Sequence, residues 1–382
     1  MYASNIFSSI EGRIKTLLMA APDPGDRDQT RRISAMLSVL PSDAGLLVWC
    51  NYAADRDALQ AQLQVMHKDI KILRGDAGSP LPADFRCLVI SPAGERENYS
   101  HWVRDPLLFC WGNGKPVGIL RSRGAKLEDQ SWPEKYWGKT KIGNLTFTVN
   151  KQIFLPVAGG NFLCHQNTVF VGHHQFAAFA AETGIQATTE QLLKTLNEYG
   201  NFSRVIRIGE TTAHEPTRLP HIDLYLTLTG ICRGWRKKYV VLLGKCMAIH
   251  KDRRPDADVD NIAAGINRYL DAAEKQLKAE GFEPLRIPLP LIASDTLRNA
   301  ALCSYNNCLV QRADPENTVW LPRYTFEREP EPWYAALKTA EEAVTKTWKS
   351  LGYSVRFVDA NFHSILDEYG SLHCITQEIR RV

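Results

Sequence analysis

Apolar residues in this chain fall into short β-rich runs separated by longer stretches with three- and four-residue apolar spacing. The runs GLLVWCNY from residue 45, CLVIS near 87, PVGIL near 116, NLTFTV near 144 and NTVFVG near 167 predict strands. So do SRVIRIG near 203, KYVVLLG near 238, PLRIPLPLI near 284, NCLVQ near 307 and YSVRFVD near 353. Between them, TTEQLLKTLNEYG, DNIAAGINRYLDAAEKQLKAEGF and PWYAALKTAEEAVTKTWKSLGY have helical spacing and a glycine close to the end. A further helix is expected around residues 28–39, after the breaker APDPGD. The preceding stretch IFSSIEGRIKTLLMAA carries Glu11, Arg13 and Lys15 inside its apolar pattern and reads as an amphipathic helix. Residues 1–40 are therefore expected to form a helical appendage to a main unit spanning 41–382. Alternating strand and helix is the signature of an α/β fold. A loose recurrence of strand, helix, strand units, five at a generous count, runs through that unit without a repeated motif.

The 382 residues, 44% of them hydrophobic, can bury a sizeable core as one large domain or two ordinary ones. A charged fraction of 23% and a net charge of +4 argue against disorder, and against nucleic acid as a partner unless the charge is concentrated. One basic and aromatic run exists, formed by Arg233, Trp235, Arg236, Lys237, Lys238 and Tyr239, and it reads as a solvated loop entering a strand. Nine cysteines without a CxxC pair exclude zinc-ribbon spacing. Most lie in apolar runs, where cysteine is a small buried hydrophobe suited to a reducing cytoplasm. No apolar run is long enough to span a bilayer, and the phosphate-loop patterns GxGxxG and GxxxxGK[ST] are missing.

Four segments carry chemistry. GSLHCITQEIRRV places Cys374 beside His373, and LPHIDLYLTL places His221 and Asp223 on one face if the segment is a strand. SHWVRDPLLF holds Trp102, Arg104 and Asp105, and VAGGNFL makes a corner of Gly159, Gly160 and Asn161. Taken singly, these are a packed cysteine, a polar stripe, a surface ion pair and a turn. The adjacent His173 and His174 would point to opposite faces of a strand and form no evident ligand pair.

Together, in order and approximate spacing, the segments resemble the guanidine-modifying, or pentein, superfamily, and in particular agmatine and peptidyl-arginine deiminases. SYNNCLV, with Asn306 and Asn307, is similar to that family's strand before its last helix. The resemblance runs from about residue 40 onward and implies a single-domain α/β propeller of five blades with pseudo-fivefold symmetry. It implies Cys374 as nucleophile, His221 as general acid and base, and Asp105 and Asp223 as the carboxylates that grip the substrate. Trp102, Arg104, Gly160, Asn161, Asn307 and His373 are implied as substrate-binding residues, with no metal and no cofactor. A guanidinium is planar, permanently charged and resistant to attack, which calls for carboxylates at its edge and a soft nucleophile at its face. Ala158 departs from the acidic residue that most members carry before the Gly-Gly corner. The expected partner is a guanidine-bearing small molecule or an arginine-containing peptide, with a homo-oligomer left open. Amidinotransfer, dihydrolysis and a non-catalytic arginine-binding or effector role are the alternatives.

Overall fold

The computed structural model describes the chain outside residues 1–3, 7–9, 22, 24, 78, 93–99, 101, 105–106, 113–114, 123–140, 144, 147–148, 156–157, 175–187, 198–201, 210–217, 251–256, 293–299, 326–330 and 367–369. It is a mixed α/β structure of several small sheets. Five of these sheets share one motif: two antiparallel strands, then a third lying parallel beside the second. The triplets are Leu107–Gly112, Lys115–Ser122 and Val149–Leu155; Phe162–His165, Thr168–Gly172 and Arg204–Ile208; and Leu226–Arg233, Lys238–Ile249 and Glu283–Ile292. A fourth joins Leu309–Gln311, Thr318–Pro322 and Ser354–Val358. The fifth unites distant parts of the chain: Gln377–Arg381 runs antiparallel to Ile14–Ala21, which is parallel to Gly45–Cys50.

Parallel neighbours need a crossover, and in four of the five triplets a described helix supplies it. Helix α1 (Arg27–Val39) links Ile14–Ala21 to Gly45–Cys50, and α2 (Ala53–Met66) follows on toward the added strand Ile72–Asp76. Helices α3 (Thr189–Leu196), α4 (Ala257–Ala279) and α5 (Glu331–Ser350) make the crossovers of three other triplets. Helix α1 begins at Asp26, whose side chain accepts hydrogen bonds from the amides of Asp28 and Gln29. Gly281 and Gly352, just past α4 and α5, have φ of 90° and 83°, as the sequence pattern predicts for helix ends. Among the described residues, no helix is long and apolar enough to cross a membrane.

The N-terminal expectation is corrected. The run IKTLLMAA is a strand, not an amphipathic helix, and it occupies an interior position of its sheet between Gln377–Arg381 and Gly45–Cys50. Both faces are covered, so the apolar residues lose the alternation that marks a half-buried strand. Residues 14–39 thus contribute a strand and α1 to the same sheet as residues 45–50 and are no helical appendage. The condition attached to His221 and Asp223 is not met: Ile222–Leu224 is a single 3-10 turn following His221, and the strand starts only at Leu226.

Leu18 is wholly buried among Leu47, Trp49 and Ile379. Replacing it with alanine removes buried methyl groups and leaves a cavity, and Leu18→Ala is expected to cost about 2–5 kcal/mol in urea unfolding. An appendage would register almost no change.

Candidate active site

Each triplet is preceded by a short stretch of chain, and the five stretches touch one another in cyclic order. Gly159 lies so close to Arg104 that an added Cβ would sit 2.0 Å from the Arg104 carbonyl oxygen. Asn161 reaches the next stretch, accepting from the Ile222 amide at 2.8 Å and donating to the Pro220 carbonyl at 2.8 Å. Ser304 Oγ then donates to the Leu224 carbonyl at 2.6 Å, and Asn307 bonds the turn holding Cys374. Arg104 completes the circuit, its amide meeting the Cys374 carbonyl at 3.4 Å.

Inside this circuit, His221, Asp223 and Cys374 bring one ring nitrogen, one carboxylate oxygen and the sulfur within 4.8 Å of one another. Asp223 Oδ2 lies 3.7 Å from Cys374 Sγ and accepts from His373 Nδ1 at 2.8 Å. Gly160 makes room for this meeting, since a Cβ there would sit 2.6 Å from His221 Nδ1 and 3.1 Å from Asp223 Oδ2. Asn307 positions the sulfur: its Oδ1 accepts from the amides of His373 and Cys374 at 2.8 and 3.2 Å, and its Nδ2 donates to Sγ at 3.1 Å.

A buried ion cluster fixes the same turn from behind. Arg104 Nε donates to the carbonyls of His373 at 2.7 Å and Thr376 at 3.1 Å, and the guanidinium pairs with Glu378. Glu378 also pairs with Arg381 at 2.9 Å. Burial alone would raise the Glu378 carboxyl, but the charges of Arg104 and Arg381 outweigh it and hold the group well below the usual carboxylate range. For His373, burial and the charge of Arg104 lower the pKa against the pull of Asp223, which favours a neutral ring.

Of the residues singled out in sequence, Cys374, His221, Asp223, Asn307, His373, Gly160 and Asn161 come together. Arg104 and Trp102 adjoin them, but the donors of Arg104 are turned on the protein itself, and Trp102 packs where a Cβ on Gly370 would come within 2.0 Å of its ring. Arg104 thus holds the Cys374 turn, and Trp102 packs against Gly370 just before it. Asp105 lies outside the described residues. Ala158 is fully buried beside the corner. His173 and His174 follow the end of the strand Thr168–Gly172 and meet edge to face, with ring centroids 5.5 Å apart. Sequence reading missed Glu378, Ser304, and the buried pair of Tyr324 and Ser371. The one local signal was a glutamate placed among apolar and basic residues in QEIRR. His221, Asp223 and Cys374 could also ligate a thiophilic divalent cation such as zinc. No protein-family model matches this chain, and no curated protein does.

Glu378→Gln would leave two buried guanidinium groups short of their anion, and a loss of about 3–5 kcal/mol in denaturant unfolding is expected. Because the folded carboxyl sits below its ordinary value of 4.5, its contribution is complete above that pH and declines as pH falls below it. The stability gap between wild type and Glu378→Gln should therefore narrow on acidification from pH 6 to 3 in pH-dependent melts.

Proposed function

We propose that this chain is a cysteine-dependent hydrolase of guanidinium groups, a deiminase of the pentein kind, yielding a ureido product and ammonia. The observation that carries the reading is the convergence of His221, Asp223 and Cys374, drawn from turns about 150 residues apart, to within 4.8 Å. The five strand triplets and the cyclic contacts among the stretches before them support a five-bladed propeller with the site on its axis.

In the proposed path the guanidinium lies edge-on to Asp223 while Cys374 faces its carbon. The positive charge of a cation arriving between Asp223 and the sulfur favours the ionised form needed for attack. The Asn307 amide aimed at Sγ stabilises the developing negative charge. The Cys374 proton passes to His221, the thiolate adds to the guanidinium carbon, His221 gives that proton to the departing nitrogen, and ammonia leaves. A Cys374 thiouronium remains. His221, now neutral, takes a proton from attacking water, and collapse of the tetrahedral adduct expels the thiolate and frees the ureido product. Asp105, directly after Arg104, is the proposed second carboxylate. With Ala158 at the corner, an arginine-containing peptide or other extended guanidine, gaining affinity outside the pocket, suits the site better than free agmatine. Amidinotransfer or dihydrolysis would pass through the same thiouronium and differ in product.

A colorimetric ureido assay across agmatine, arginine and arginine peptides tests the reading. Wild type should form product, and Cys374→Ser should lose it by at least about a thousandfold with an unchanged circular dichroism spectrum. Full activity in the variant would remove Cys374 from the role. The competing zinc reading, favoured by the clustering of three donor atoms, predicts activity abolished by chelation and restored by the metal. The deiminase reading predicts indifference to chelator.

A further inference from the structure

We infer that His373 is a positioning residue whose ring turns the Asp223 carboxylate so that one oxygen is left to receive an edge-on amidine or guanidine cation; this rests on the hydrolase reading above. The arrangement is directional. Asp223 Oδ2 is committed to His373 Nδ1 at 2.8 Å and faces Cys374 Sγ at 3.7 Å. Asp223 Oδ1 is buried and has no hydrogen-bond partner among the described residues. A buried carboxylate oxygen left in that state costs free energy that a ligand donor would recover. Because the two oxygens share a plane, pinning Oδ2 sets the direction of Oδ1.

The pin is itself held firmly. The His373 amide donates to Asn307 Oδ1 at 2.8 Å, and its carbonyl accepts from Arg104 Nε at 2.7 Å, so both flanking peptide groups are anchored. A carboxylate only accepts, so Nδ1 carries the hydrogen. The charged groups facing the ring are Arg104, Asp223 and Glu378, and with burial they favour its neutral form. A neutral donor suits the task, because it orients Asp223 without cancelling the negative charge that attracts a cation. A lysine or imidazolium in its place would form the ion pair that the substrate has to form.

The test compares two electrophiles on Cys374: chloroacetamidine, which carries a planar amidinium, and iodoacetamide, which is neutral. Adduct formation is followed by mass spectrometry, with no need for turnover. Wild type should favour the amidinium reagent; equal rates would sink the guanidine reading itself, and the positioning role with it. With that preference present, His373→Leu should lower the rate ratio of the two reagents by at least about tenfold, the scale of one charge-assisted hydrogen bond. His373→Asn, whose side-chain amide can place an N–H near the position of Nδ1, should restore the ratio to within about threefold. An unchanged ratio in His373→Leu would overturn the inference. Should that variant unfold by circular dichroism, His373→Asn decides alone: a ratio near wild type supports the positioning role, and a tenfold fall refutes it.

Discussion

An aspartate at 1% exposure is an expensive thing to fold, and the centre of this protein is organised around that cost. Taking a carboxylate out of water is penalised unless hydrogen bonds and charges replace the lost hydration. For Asp223 the replacement is partial. Among the described residues, His373 supplies one short contact, Cys374 a longer one, and one oxygen goes without. Proteins rarely tolerate such an imbalance in a packed interior, and they do so chiefly where a ligand completes the arrangement.

Holding that imbalance requires a rigid frame, and the frame is made largely of asparagine and arginine side chains bonded to backbone. Asn161 spans both sides of His221, from Pro220 to Ile222, and so fixes the turn carrying His221 and Asp223. Asn307 does the equivalent for the turn carrying Cys374. Arg104 secures the other side of that turn through two carbonyls and is neutralised by Glu378. A carboxamide suits such a joint because it donates and accepts at once without adding charge near an already charged centre. The arginine is tolerable only because its anion is buried with it.

Strands whose apolar runs are bounded by turn residues were legible in the sequence, among them Cys87–Ser91, Thr168–Gly172 and Ser354–Val358. Ile14–Ala21 was not, because a strand covered on both faces has no alternation and the charges before it imitate a helical pattern. The turn at Ile222–Leu224 was not legible for a local reason: His-x-Asp spacing is the same on paper whether the backbone extends or coils. His221, Asp223 and Cys374 could be assembled only through resemblance to a family, since nothing in composition places residues 221 and 374 together. The neighbours of Arg104 and Trp102, Glu378 and Gly370, lie more than 250 positions away in the chain and could not be read from local sequence. Long-range pairing of buried charges leaves no periodic trace, so this part of the site became visible only in three dimensions.

One triplet differs from the rest in joining residues 377–381 to residues 14–21. During translation the earlier of these strands leaves the ribosome long before the later one exists, and it carries apolar side chains on both faces throughout that interval. Its docking partner arrives just after Cys374, on the same few residues of chain. Pairing of this strand with Ile14–Ala21 and delivery of the Cys374 sulfur to His221 and Asp223 are therefore coupled, because both wait for the same few residues of chain.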